Sequence, residues 1–231
     1  MKPLREALGA LLEPATAFAD LGTAPPRSGR AFGRMLLWWL PPALLYGAFS
    51  AWNALGGYHT LRAGHLAPWL AHLILPGLDP DSSVAFLRSL PPPPAPGTVA
   101  LAVLLLVPLS VVGIWLHDAV WDHTALWMLG ALKAKRGFRA TLLAESQALR
   151  IAALGSWIGL LGFIPGAGLA VTLPLVLLEA YLWVFRGFAL AAVHGLPAWK
   201  GVLATVVHAA LLGFFTLLLL GLMAWMLGVA G

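Results

Sequence analysis

A long apolar stretch of this chain decides what it can fold into. Residues 98–116, TVALAVLLLVPLSVVGIWL, contain no charged side chain over nineteen positions. About twenty apolar residues in a helix cross the hydrocarbon of a bilayer. The whole chain is 60% hydrophobic and only 10% charged, whereas soluble domains carry about 25% charged residues. The chain is therefore predicted to be an all-α membrane protein.

The uncharged apolar runs predict a polytopic bundle of five transmembrane helices. The third run is short and ends at the turn sequence Pro165–Gly166, so it is either a short or tilted span or half of a re-entrant hairpin. Residues 1–34 space their apolar side chains along one side of a helix, which predicts a cytoplasmic, interfacial amphipathic segment. Residues 35–231 then form one transmembrane domain. Its spans are predicted at 35–55, 98–117, 148–164, 167–186 and 201–229.

The basic residues are distributed unequally between the connections of this bundle. Along five spans, twelve of the fourteen Lys and Arg fall on the side that holds the N-terminus. Cytoplasmic loops of membrane proteins carry the excess of Lys and Arg. The N-terminus is therefore expected in the cytoplasm and the C-terminus outside, in the inner membrane if the source is a bacterium.

Two aspartates and two histidines gather at the end of the second predicted span, in the sequence HDAVWDH at 117–123. Asp118 and Asp122 share a helix face, whereas the two histidines point about 100° away on either side. In one interpretation these side chains merely end an apolar run among lipid headgroups, with the aspartates pairing to nearby arginines. In the other, the carboxylates form a site with a histidine from another helix, either His194 or His208. The spacing matches no standard metal motif, so a metal is left undetermined.

Two contacts are expected among the ionisable residues. His123 and His194 are predicted to share a polar pocket, because the topology brings the end of the second span and the exit of the fourth to one face. Glu179 and His208 are predicted to pair, since both lie roughly 10–12 Å from the cytoplasmic ends of consecutive antiparallel helices. No catalytic or cofactor-binding motif accompanies them and the chain has no cysteine, so neither enzyme activity nor a cofactor is expected.

Several short motifs follow one another in a characteristic order along the chain. They are E-P-x-x-x-F-x-x-L (13–21), H-T-A-L-W-M-L-G-A-L (123–132), G-F-R-A-T-L (137–142), I-P-G-A-G (164–168) and A-A-V-H-G-L (191–196). This order resembles the bacterial branch of the Yip family, the Ypt/Rab-interacting five-span membrane proteins. The resemblance implies a five-helix membrane domain with a cytoplasmic N-terminus, and His123 and His194 match the family pattern. Eukaryotic members engage prenylated small GTPases, but this chain lacks their D-L-x-G-P segment and their long acidic N-terminal region.

Two functions are compatible with these features. The first is a non-enzymatic membrane-organising or partner-binding protein, whose partners are the lipid bilayer, anionic lipid headgroups, other membrane proteins or a second copy of the chain, and not nucleic acid. Basic side chains near an anionic surface contribute roughly 1 kcal/mol each, and the candidates are Arg27, Arg30, Arg34, Lys133, Lys135, Arg136 and Arg139. The second is a small permease or carrier of ions or lipid. Its polar cluster would consist of Asp118, Asp122, His123, Glu179, His194 and His208.

Overall fold

The computed structural model describes residues 8–22, 28–63, 79–132 and 136–229 of the chain. Within these residues the protein is helical and contains no strand, as predicted. The six main helices are α1 (Ser28–Arg62), α2 (Pro80–Ser89), α3 (Pro96–Met128), α4 (Gly137–Gly159), α5 (Gly168–His194) and α6 (Ala198–Val229).

Three of these helices, α3, α5 and α6, are long and apolar enough to cross a membrane. They contain the spans predicted at 98–117, 167–186 and 201–229. Large apolar side chains on them, such as Leu105 and Leu217, are more than half exposed at the surface of the protein. A dense array of exposed leucines is stable against lipid and not against water. Membrane insertion is therefore supported by both the length and the surface of these helices.

The other two predicted spans lie in less apolar parts of the structure. The span at 35–55 lies inside α1, which contains the pair Pro41–Pro42. The span predicted at 148–164 begins within α4, which itself begins earlier at Gly137, and it extends through the 3-10 helix Leu160–Phe163 that follows α4. An apolar run marks where charged residues are absent, and a helix can begin well before that point.

Two glycines explain where α3 and α5 stop. Gly130 and Gly195 have φ of +60° and +65°, the left-handed conformation in which helices commonly terminate. In α5 the Leu196 N–H donates back to Ala191 O at 2.8 Å, which closes the helix end. The first of these glycines lies beyond residue 128, and α3 continues as one helix through residues 117–123.

α5 is the central helix of the core, because it packs against both α4 and α6. Where α5 crosses α6 the two backbones nearly touch. A Cβ added at Gly201 would lie 2.0 Å from Gly187 O, and a Cβ added at Gly187 would lie 2.5 Å from Val202 Cα. Small residues permit such close approach between membrane helices. This glycine crossing, formed by Gly187, Gly201 and Val202, sets the distance between α5 and α6.

Residues 8–22 form three short helical pieces and not one continuous amphipathic helix. The ring of Phe18, only 3% exposed, lies 4.9 Å from the ring of Phe185 in α5. The Tyr181 hydroxyl of the same helix donates to Leu11 O. These residues therefore pack on α5 with part of their apolar surface. The three pieces are residues 8–12, Pro14–Ala17 and Ala19–Gly22.

The chain divides into two compact units, which do not follow the helix boundaries. The first unit contains Met1–Pro42 and Ser110–Gly231, and the second contains Ala43–Leu109. Within the second unit, the Tyr58 hydroxyl donates to Pro91 O at 2.7 Å and joins the end of α1 to the segment before α3. The candidate site described next belongs entirely to the first unit.

The glycine crossing predicts opposite effects for two Gly→Ala substitutions. Gly187→Ala should lower the free energy of unfolding by about 1–3 kcal/mol, because the added methyl group overlaps backbone atoms of α6 that cannot rotate away. Gly213→Ala in α6 is the control: nothing lies within 4 Å of its Cβ position, and alanine in a helix is favoured by about 0.5–1 kcal/mol. Thermal unfolding in one detergent measures both, and equal melting temperatures would contradict the crossing.

Candidate functional site

Ionisable side chains from four helices converge in the core of the first unit, and we call them the carboxylate–arginine cluster. Each lies roughly 9–15 Å from the nearer end of its helix, at 1.5 Å per residue. These four helix ends lie on the same side, so the cluster occupies one level of the bundle. Its members are Asp118 and Asp122 of α3, Glu145 of α4, Arg186 of α5 and His208 of α6.

Arg186 contacts every other member of the cluster. Its Nη1 donates to Asp118 Oδ2 at 2.6 Å. Its Nε lies 2.9 Å from Asp122 Oδ2, as an ion pair without the alignment of a hydrogen bond. Nη2 lies 2.9 Å from His208 Nδ1, and Nε lies 3.8 Å from Glu145 Oε2. A guanidinium suits this position because it keeps its charge and offers several donors in a plane.

His208 is fully buried, and its ring is oriented by Asp122. Its Nδ1 lies 2.7 Å from Asp122 Oδ1 and 2.9 Å from Arg186 Nη2. One nitrogen cannot both donate to the carboxylate and accept from the guanidinium, and the shorter contact favours a proton on Nδ1. Trp121 lies nearly parallel to the imidazole, with ring centroids 6.2 Å apart. Trp183 packs on it at 5.2 Å and also faces the Arg186 guanidinium at 4.4 Å.

Glu145 is the least satisfied member of the cluster. Its side chain is completely buried, and no N–H or O–H donor of the described residues reaches its carboxylate oxygens; its polar neighbours are Arg186 and the carboxyl group of Asp122. Buried polar atoms are almost always hydrogen-bonded, so such an exception requires an explanation, for which a bound ion is one candidate. His208 Nε2 is likewise buried and without a partner in the described part of the chain.

Three of the five cluster residues are candidates from the sequence alone, whereas Glu145 and Arg186 are not. Glu145 lies in the connection between the second and third predicted spans, and Arg186 is the last residue of the fourth. A signal for Arg186 was present, because the apolar sequence GFALAAV at 187–193 continues the helix beyond it. Each of the two interpretations of 117–123 is met in part: Asp118 and Asp122 pair with Arg186, and Asp122 also contacts His208 from another helix.

The predicted pair of Glu179 and His208 is wrong. Glu179 lies on the exposed surface of α5, while His208 is bonded to Asp122 and approached by Arg186. The prediction was based on the depth of the two residues in consecutive helices. Arg186 lies seven residues after Glu179, roughly 10 Å further along α5, and next to the glycine crossing. It is the side chain of Arg186 that reaches the imidazole.

The predicted contact between His123 and His194 is confirmed, with Thr141 of α4 between them. The Thr141 Oγ1 lies 2.8 Å from His123 Nδ1 and 3.0 Å from His194 Nε2. One hydroxyl group therefore lies within hydrogen-bond distance of a ring nitrogen on each imidazole. We call these three residues the histidine–threonine bridge. It ties the ends of α3 and α5 to α4.

The basic residues expected at the lipid headgroups differ in their surroundings. Arg30, Arg34 and Arg139 are exposed. Arg136 is engaged within the protein, because its guanidinium donates to Val193 O at 2.7 Å and to Gly22 O. Carbonyl groups at the end of α5 attract such a cation. The remaining three candidates, Arg27, Lys133 and Lys135, lie outside the described residues.

Comparison of the chain with protein families, with curated proteins and with solved structures found no match. The resemblance to the Yip family stays a prediction from the short motifs. The function proposed below is therefore based on the geometry and the charge of the site.

The histidine–threonine bridge predicts a cost for removing one hydroxyl group. Thr141→Val keeps the shape of a fully buried side chain but leaves two imidazole nitrogens without their partner, which should cost about 1–3 kcal/mol of stability. Thr141→Ser keeps the hydroxyl and loses one methyl group, so it should be closer to the original protein in a comparison of melting temperatures. A valine variant as stable as the original protein would show that the bridge contributes nothing.

Proposed function

We propose that this protein is a small integral membrane permease that binds and moves a cation through the carboxylate–arginine cluster. An imbalance of charge supports the proposal. The cluster holds three carboxylates, on Asp118, Asp122 and Glu145, but only one permanent cation, Arg186. With all three carboxylates ionised and the imidazole neutral, the cluster carries two net negative charges.

A buried imbalance of this size requires compensation. An uncompensated charge in the core of a protein costs several kcal/mol. The cluster must therefore take up positive charge, either as protons on its own groups or as a bound cation. A purely structural ion pair needs one carboxylate for the one guanidinium of Arg186. Exchange of protons for another cation would use the two further carboxylates of the cluster. Ionisable groups buried within membrane helices commonly mark ion pathways.

A second function, membrane organisation through lipid and partner contacts, is favoured by a different observation. Arg30 and Arg34 in the first turns of α1, and Arg139 in the first turn of α4, expose their side chains. Each such cation contributes roughly 1 kcal/mol of attraction to an anionic membrane surface. The resemblance to the Yip family supports the same function. A transport measurement separates it from the permease.

We further propose that the chain crosses the membrane five times with its N-terminus in the cytoplasm. The crossings are α3, α5, α6, the segment 35–55 of α1, and the segment 148–164, which begins in α4 and ends just beyond it. The asymmetric distribution of the basic residues supports this orientation. In this arrangement the helix ends nearest the cluster face the cytoplasm, so an ion would reach the cluster from that side through a short path.

The permease proposal predicts that Glu145 is needed for transport. Liposomes containing the purified full-length protein, loaded with a pH-sensitive or a metal-sensitive dye, should dissipate a proton or divalent-cation gradient faster than protein-free liposomes. Glu145→Gln removes one carboxylate and keeps the shape of the side chain, so it should lower the rate by about tenfold or more, because the extra negative charge binds the ion.

The matched control is Glu179→Gln, the same chemical change at an exposed position on α5. Its transport rate should equal that of the original protein. If the original protein moves neither protons nor divalent cations under any gradient, the permease proposal fails and membrane organisation remains. Equal losses in the two glutamine variants would show that the cluster is not the pathway.

The orientation is tested by single cysteines, since the chain contains none of its own. Ser89→Cys and Arg139→Cys both replace exposed side chains. In intact cells an impermeant thiol reagent should label the cysteine at position 89 and spare the one at position 139, which should react only after the membrane is opened. The reverse pattern would overturn the orientation.

A further inference from the structure

His117 lies beside two members of the cluster, Asp118 and His208, and the three side chains are arranged as ligands of a metal ion. His117 and Asp118 of α3 and His208 of α6 each offer one ligand atom, and these atoms lie within 4.8 Å of one another. We propose that this triad binds a divalent transition-metal ion of the zinc class. The inference rests on the proposed permease for its physiological meaning, since it names the transported cation, but binding can be measured without transport.

His208 is prepared for this role by the carboxylate behind it. Asp122 Oδ1 lies 2.7 Å from Nδ1 of the imidazole, which places the proton on Nδ1 and leaves the lone pair on Nε2. Nε2 is fully buried and has no partner within the described residues. Metal-binding histidines nearly always donate their other ring N–H to a carboxylate or carbonyl in this way. Asp122 is therefore a positioning residue for the ligand His208.

His117 and Asp118 supply the outer side of the site. Asp118 Oδ2 is held by Arg186 at 2.6 Å, and Oδ1 lies 3.2 Å from Nδ1 of His117. The His117 side chain is 46% exposed, whereas that of Asp118 is 13% exposed, so the triad has an open side. Three protein ligands leave at least one coordination position for water, which is typical of sites whose metal or substrate exchanges. A closed structural site would use four.

The ligand set and the charge select the class of ion. Two imidazole nitrogens and one carboxylate oxygen suit zinc and the neighbouring divalent transition metals, whereas magnesium and calcium prefer sites built from oxygen alone. The charged groups that face the triad are Arg186 from α5, Asp122 from α3 and Glu145 from α4. Together with Asp118 they carry two net negative charges when the carboxylates are ionised, which a divalent cation balances.

The test is metal binding by the full-length protein in detergent or nanodiscs. Titration with Zn²⁺, and with Co²⁺ followed by its visible absorption, should show one site per chain. His117→Ala removes an exposed ligand and should weaken binding by about tenfold or more. The control is His59→Ala, which removes an exposed histidine of α1. This variant should bind the metal with the affinity of the original protein.

Asp122→Asn tests the positioning role separately. It should keep one site per chain but weaken binding by about 10- to 100-fold and change the Co²⁺ spectrum, because the imidazole loses its orienting carboxylate. A variant that only loses stability would bind with an unchanged spectrum, and that result would exclude the positioning role.

The outcomes separate this inference from the permease itself. Absence of Zn²⁺ and Co²⁺ binding by the original protein, or equal affinity in the His117→Ala and His59→Ala variants, overturns the metal site. Tight binding of Ca²⁺ that survives His117→Ala would overturn it too, because a carboxylate site would then explain the data. Proton transport without metal binding leaves the permease standing, and metal binding without any transport leaves the site standing.

Discussion

The burial of one guanidinium group is the constraint on which the rest of this structure depends. Among the described residues Arg186 is the only Lys or Arg that is buried, and a guanidinium cannot lose its charge to escape the cost. Carboxylates must therefore reach it from other helices. Asp118 and Asp122 come from α3, and Glu145 comes from α4. The ion pairs thus determine which helices surround α5 at this level.

The residue after Arg186 provides the packing that the cluster requires. Gly187 has no side chain, so α6 approaches α5 until backbone atoms are in contact with each other. One consequence is that His208 of α6 lies within 2.9 Å of the guanidinium and 5.2 Å from the Trp183 ring. In a membrane the lipid is as apolar as the helices, so small residues and polar contacts replace the hydrophobic effect as the cause of association. Here the two causes act at adjacent residues of α5.

Two polar groupings in the same core differ in how completely they are satisfied, and this difference separates structure from function. In the histidine–threonine bridge the Thr141 hydroxyl lies within hydrogen-bond distance of a nitrogen on each imidazole. In the carboxylate–arginine cluster no donor of the described residues reaches the buried oxygens of Glu145, whose ion pair with Arg186 is 3.8 Å long, and Nε2 of His208 has no partner among those residues. A half-satisfied network is costly unless something else binds to it. That cost supports the assignment of cation binding to the cluster.

The sequence by itself determined the all-helical membrane class, because apolar runs of this length and a charged fraction of 10% leave no other way to satisfy the backbone in lipid. It also placed Asp118 and Asp122 on one face, since a spacing of four residues depends only on the helical repeat. Only the tertiary structure decided that His208 turns to these carboxylates and not to Glu179, and that Glu145 and Arg186 join them. Depth along a helix can be counted from a sequence, whereas the rotation of one helix against another depends on close packing at residues such as Gly187, which becomes visible only when the helices are in contact.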